Sequence, residues 1–215
     1  YLLRVFLFVF VVQFSISCNT ARRIYETPVN FNGLKYSGEY VMPHNLMFKN
    51  TTVGGLSGID YDRKNNLYYL ISDDRSEKNP ARFYTAKIYF TQNGIDSLIF
   101  TDVKYLQQKN GTVYPGIKED RFNTPDPEAI RYNPGANKLV WSSEGERVVK
   151  NSDTVLVDPA VIIMQPDGKH ISSFELPANL KMQVNETGPR RNGVLEGMSF
   201  GDNYKTLFVS VEEPL

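Results

Sequence analysis

Histidine, cysteine and tryptophan are nearly missing from this chain of 215 residues, which has two, one and one of them. Cys18 alone makes no disulfide framework, and with only His44 and His170 beside it no Cys/His metal cage can be assembled. Net charge is missing as well. The 24 basic side chains balance the 24 acidic ones, and no Lys/Arg-rich run appears, so no long-range field gathers phosphate backbones. Nucleic-acid partners are not expected, and any anion site must be local. After residue 16 there is neither a membrane-length apolar run nor a useful amphipathic helical stretch. With 41% hydrophobic and 22% charged residues, the composition is that of an ordinary globular chain and excludes both disorder and a multi-span membrane protein.

The first seventeen residues read as a signal peptide. Arg4 precedes an apolar stretch from Val5 to Val12 that continues to Ile16, followed by the small Ser17. The stretch is shorter than the roughly 20 apolar residues a membrane-crossing helix needs. Phe14-Ser15-Ile16-Ser17-Cys18 resembles a bacterial lipobox, with Ser15 where leucine is usual. The expectation is an extracytoplasmic protein, in the periplasm or at the outer membrane or cell surface. It would touch the membrane only through a lipid on Cys18, with residues 18–33 as linker and residues 34–215 as the domain. A first residue of Tyr1 and a strand-like end, VSVEEPL, predict that the domain continues in a longer, monomeric protein.

From Gly54 onward one pattern occurs three times. The copies are GGLSGIDYDRKNNLYYLISDD from Gly54, PDPEAIRYNPGANKLVWSSEGE from Pro125 and GVLEGMSFGDNYKTLFVSVEEP from Gly193. Each begins with an alternating strand: Ser57 to Tyr61, Glu128 to Tyr132, Glu196 to Phe200. A turn cluster and a second apolar run follow, which predicts a β-hairpin each time. Arg82 to Phe90 with Ile95 to Val103, and Val161 to Met164 with Lys169 to Glu175, supply two more strands to the first two copies. Four-stranded antiparallel units repeating at 71 and 68 residues predict an all-β chain, a partial β-propeller rather than a β-sandwich. The segment Leu34 to Val41 reads as one more outer strand.

In such a topology the start of the first strand and the end of the second share one mouth. An acid recurs sixteen positions after each initiating residue: Asp73 after Ser57, Glu144 after Glu128, Glu212 after Glu196. Asp73, Asp74, Glu128, Glu144, Glu196, Glu212 and Glu213 are therefore expected to ring that mouth. Two carboxylates about 5 Å apart repel by roughly 3 kcal/mol at an effective dielectric near 20. Such a ring calls for a hard cation with oxygen ligands, calcium first. Salt bridges to arginine and backbone N–H groups are the competing use of the same acids. Arg75, Arg82, Arg121, Arg190 and Arg191 fall on the same face, where guanidinium groups grip anionic oxygens. Trp141 and the alternating tyrosines read as packing, and neither histidine sits in a motif suggesting a catalytic base.

The set GGLSGIDYD…SDD, NPARFYTAKI, PDPEAIRYNP…SSEGE, LPANL and GPRRNGVLEGMSF…VEEPL resembles the phytase-like, esterase-like domain of secreted bacterial proteins, from about Val53 to Leu215. The resemblance implies a propeller longer than this chain and phosphoric-ester hydrolysis. It matches the family's glutamates to Glu128 and Glu196, its paired acids to Asp73-Asp74 and Glu212-Glu213, and its arginines to Arg82, Arg190 and Arg191. Ser57 stands where the other copies have Glu. The leading expectation is calcium-assisted hydrolysis of a small anionic ester, the acids holding metal, the arginines holding ester oxygens and a metal-bound water attacking. A metal-dependent lactonase or carboxylic esterase, and a non-catalytic calcium-stabilised binding module, are the alternatives.

Overall fold

The computed structural model describes residues 33–185 and 187–215. The leader, the lipobox and nearly all of the linker lie outside the described residues. Backbone contacts divide the chain into Tyr1–Tyr36 and Ser37–Leu215, and every element below belongs to the second unit. Among the described residues there is no α-helix, one 3₁₀ turn (Ala178–Leu180), and no helix long and apolar enough to cross a membrane.

Among the described residues, fourteen strands form two four-stranded and three two-stranded antiparallel sheets. The first large sheet runs in the order β3 (Leu56–Asp62), β4 (Leu67–Ser72), β5 (Arg82–Thr91), β6 (Gly94–Tyr105). The second holds β7 (Pro127–Asn133), β8 (Lys138–Ser143), β11 (Ala160–Met164) and β12 (His170–Ser173), again in chain order from one edge. The third copy of the repeat gives the hairpin β13 (Leu195–Gly201) and β14 (Thr206–Val211). Two small hairpins were not expected: β1 (Met47–Phe48) with β2 (Thr51–Thr52), and β9 (Glu146–Val148) with β10 (Val155–Val157). The strand expected over Leu34 to Val41 does not form. Gly38 has φ +136°, and no ladder partner reaches the segment among the described residues.

Local chemistry explains the repeated hairpins. Asp62 accepts from Lys64 N and Asn65 N, and Asn133 at the equivalent position accepts from Ala136 N, so each turn is closed by its first side chain. Asn66 and Asn137 then adopt left-handed φ of 49° and 51°, and Tyr61 and Tyr132 each donate a hydroxyl to that asparagine.

The second sheet is buried on both faces with strict period-two alternation. Ile130, Leu139, Trp141, Ile162 and Met164 pack against Tyr69, Ile71 and Phe83 of the first sheet. Ala129, Val140 and Val161 face Leu195 and Met198 of the third and Val194 just before it. Trp141 is fully buried there, as packing.

The first strands of the three copies lie side by side, β7 between β3 and β13. Ser57 Oγ donates to Glu128 O at 2.6 Å, and Tyr132 N donates to Asp60 at 2.6 Å. Arg131 ties all three strands, donating from Nη1 to Ile59 O and Ile130 O and from Nε to Met198 O. Where β3 and β7 come closest the residue is Gly58. A methyl group there would stand 2.9 Å from Glu128 O and from Ile130 N, both backbone atoms. Gly58→Ala must push the two strands apart and is expected to cost about 1–3 kcal/mol. Gly54→Ala, with nothing within 4 Å of the added carbon, should stay within about 0.5 kcal/mol of wild type. Thermal melts of the pair check this, and equal melting temperatures would refute the close packing.

Candidate carboxylate centre

One hydrogen bond, repeated in each copy, places the acids. The backbone N–H of the residue sixteen after the initiator donates to the carbonyl two residues before the initiating position: Asp73 N to Gly55 O (2.7 Å), Glu144 N to Asp126 O (3.1 Å), Glu212 N to Val194 O (3.0 Å). Each hairpin thus returns its acid to the end where its first strand began. Two carboxylate triads result, Asp126–Glu128–Glu144 and Glu144–Glu196–Glu212. In each, one oxygen per residue lies within 4.8 Å of the others. Glu144 belongs to both. It is buried, and Val194 N donates to its Oε1 at 2.6 Å across the gap between sheets.

Burial, then the neighbouring Glu196 and Asp126, pushes the Glu128 carboxyl up to about 9. Burial raises Asp126 to about 7 against the pull of Arg75. Burial, with Glu144 and Glu212, raises Glu196 to about 6. Asp73 is also raised, by burial and then by Asp74, and its charge reaches Asp126, Glu128 and Glu196 without joining either triad. Its carboxylate lies over Gly55, whose φ of +56° and missing Cβ make the room.

Other expected site residues do different work. Asp74 accepts from Glu77 N, Lys78 N and Asn79 N and pairs with Arg82 at 2.8 Å. Burial alone would raise its carboxyl, and these donors hold it below the ordinary value. Arg82 is itself buried. Its Nε reaches Tyr84 Oη, its Nη1 Asp74, Asn79 O and Pro80 O, and its Nη2 Thr52 O. That pair closes the loop between β4 and β5, and each guanidinium nitrogen already has an acceptor inside the fold. Glu213 is exposed, 3.4 Å from Arg190. Arg121 pairs on the surface with Asp153.

Asp126 and Glu146 carry no mark in the repeat. The positions equivalent to Asp126 are Gly55 and Val194, and the position equivalent to Glu146 in the first copy is Arg75. The structure joins them. Arg75 Nη2 meets Glu146 Oε2 at 2.8 Å, and Arg75 Nε stands 3.3 Å from Asp126 Oδ2. The second approach is an ion pair without hydrogen-bond alignment, since that buried Nε–H has no acceptor among the described residues. Glu146 Oε1 also accepts from Arg191 Nε at 2.9 Å.

Gly197-Met198-Ser199-Phe200-Gly201 spells the G-x-S-x-G of a hydrolase nucleophile turn, a string the expectations above left out. Here it runs along β13 with Ser199 opposite Phe208, and a β-turn follows, where a nucleophile turn would lead into a helix. His170 Nε2 lies 3.1 Å from Ser173 Oγ on β12, so no base is drawn to Ser199 from there.

The centre fits a hard divalent cation. Its donors are all carboxylate oxygens, they converge within ligand spacing, and burial has raised three of them, so ionising the set together is costly without a positive partner. Those raised values set a pH dependence. In the metal-free fold these carboxyls keep protons that the unfolded chain gives up near pH 4. Their contribution to stability is full below that and is lost as pH rises through about 6, 7 and 9. The melting temperature in chelator should therefore fall between pH 5 and pH 9, and Glu128→Gln should flatten much of the slope. Added calcium should raise the melting temperature more at pH 8 than at pH 5. A pH-independent melt in chelator would contradict the clustering.

A family model described as "Phytase-like: Esterase-like activity of phytase" matches residues 51–215. A search of curated proteins found no match.

Proposed function

The chain belongs to the phytase-like family, and from that premise we propose that it hydrolyses phosphoric esters at the carboxylate centre with the help of a bound divalent cation, calcium first. The observation that carries the reading is the pair of triads sharing Glu144, a set of oxygen donors without histidine or cysteine. Family membership supports a hydrolase-like function in general. The phosphoric ester and the metal are the steps added here.

In this reading Asp126, Glu128, Glu144, Glu196 and Glu212 hold the cation. Bound there, it would neutralise ester oxygens and lower the pKa of water. The chain's own part is to keep the carboxylates in place on paired strands, so that little reorganisation is needed when charge develops. Arg190 and Arg191 present exposed guanidinium groups at the same end, linked to the acids through Glu213 and Glu146. They are the groups suited to hold an anionic ester. Arg82, with every nitrogen engaged inside the fold, supports the loop instead. The two four-stranded sheets and the third hairpin are read as successive blades of a β-propeller, supported by their side-by-side first strands and by the double-faced core of the second sheet. The leader-like residues 1–17 support an extracytoplasmic setting.

The test compares p-nitrophenyl phosphate with an aryl carboxylic ester and a lactone, each with calcium and after chelation, on wild type and Glu144→Gln. Phosphate-ester turnover that depends on the ion and falls about a hundredfold or more in Glu144→Gln is expected, because one side chain serves both triads. Turnover of the lactone or aryl ester alone would assign the carboxylic-ester chemistry instead. A calcium-dependent gain in melting temperature without turnover of any of the three would assign a binding propeller.

A further inference from the structure

A pocket of about 430 Å³ is lined by Arg147, Arg190 and Arg191 together with Thr187 and Gly188. The side chains of Arg190 and Arg191 are 66% and 61% exposed, so both remain open to solvent although Arg191 Nε also meets the buried Glu146. No strand carries them. Among the described residues the chain between the 3₁₀ turn and β13 has no ladder of its own, and its backbone groups must be satisfied one at a time.

The hairpin β9–β10 and the residue just past it satisfy four of them. Gly145, with φ +80°, turns the chain out of β8 so tightly that a Cβ there would strike Val157 O. On β9 the next two residues point to opposite faces. Glu146 goes inward, between Arg75 and Arg191. Arg147 goes outward and donates to three successive carbonyls, Nε to Gln183 O at 2.9 Å and Nη2 to Val184 O and Asn185 O at 3.1 Å each. Just past β10, Asp158 Oδ1 accepts from Met182 N at 2.8 Å. Gly188, with φ +80°, then lies so close to Lys181 O that an added Cβ would come within 3.0 Å. Four consecutive residues, Met182 to Asn185, are thus fastened to one hairpin just before the chain reaches Arg190 and Arg191.

We infer that Arg147 is a positioning residue: its guanidinium fork fixes the backbone at 183–185 and so sets where Arg190 and Arg191 present their charge to an anionic ligand. The inference rests on the anion-binding role given to those two arginines above. A planar fork with several fixed donors can serve three carbonyls at once, whereas an ammonium keeps the charge but not the geometry. Arg147→Lys therefore separates position from charge.

The experiment measures inorganic phosphate binding by calorimetry, calcium binding, and amide hydrogen exchange over residues 187–191, in the full chain with calcium present. Arg147→Lys is expected to weaken phosphate binding by about tenfold to a hundredfold, to speed exchange at 187–191, and to leave calcium affinity unchanged. Arg190→Gln should weaken phosphate binding with little change in exchange, because its 3.4 Å ion pair with Glu213 is exposed on both sides, whereas Arg191 is itself tied to the buried Glu146. Wild-type phosphate affinity in Arg147→Lys would overturn the inference. So would a loss of affinity with exchange unchanged, which would make Arg147 a direct ligand of the anion. If wild type binds no phosphate while Arg147→Lys still loosens 187–191, the anion-binding reading is what fails, and this role falls with it.

Discussion

Repulsion among clustered, partly buried carboxylates governs the interesting end of this molecule. Asp126, Glu128, Glu144, Glu196 and Glu212 come from the β7–β8 and β13–β14 hairpins and the chain beside them into two triads that share a member, and each close pair, when both members are ionised, opposes assembly by roughly 3 kcal/mol at an effective dielectric near 20. The chain offsets this at one side with Arg75, which is itself held by Glu146. Elsewhere the fold keeps protons on carboxyls that would ordinarily have lost them, as at Glu128. A carboxyl that holds its proton in this way must release it to bind a cation, so any cation affinity there would rise with pH.

Such a centre needs a scaffold whose own cohesion does not depend on it. The first strands of the three copies are bound by Ser57, by the Asp60 carboxylate and by Arg131, which spends its charge on backbone carbonyls of β3, β7 and β13. The two cores on either face of the second sheet are apolar and separate from the acids. Cohesion lives in the packed sheets and charge repulsion at the acidic end, a division expected where function is built on a rigid frame. The arginines at the same end divide in the same way. Arg75 and Arg82 are interior partners of acids, while Arg190 and Arg191 remain open to solvent on a segment fastened from the neighbouring hairpin.

Much of this was legible in the residues. The three repeats gave the hairpins nearly residue for residue, because alternation and asparagine turn chemistry are local. The sixteen-residue recurrence pointed to Glu128, Glu144, Glu196 and Glu212, because a hairpin of fixed length returns to its own start. Asp126 and Glu146 were invisible to that logic, since neither recurs in the other copies. Arg82 and Asp74 looked like site residues for the same reason that Arg190 did, by lying near the ends of strands. Spacing does not say whether a guanidinium turns inward to a loop or outward to solvent.

The sequence by itself determined the strand order, the turn positions and the gathering of acids at one end, because each follows from periodicity within a single hairpin. Only the tertiary structure decided which acids meet across sheets, that Arg75 and Glu146 pair between equivalent positions of adjacent copies, and that Arg147 holds the segment before Arg190. Those contacts join residues from separate repeats or from the irregular chain between them. Their distances depend on how the sheets pack, which no pattern along the chain encodes.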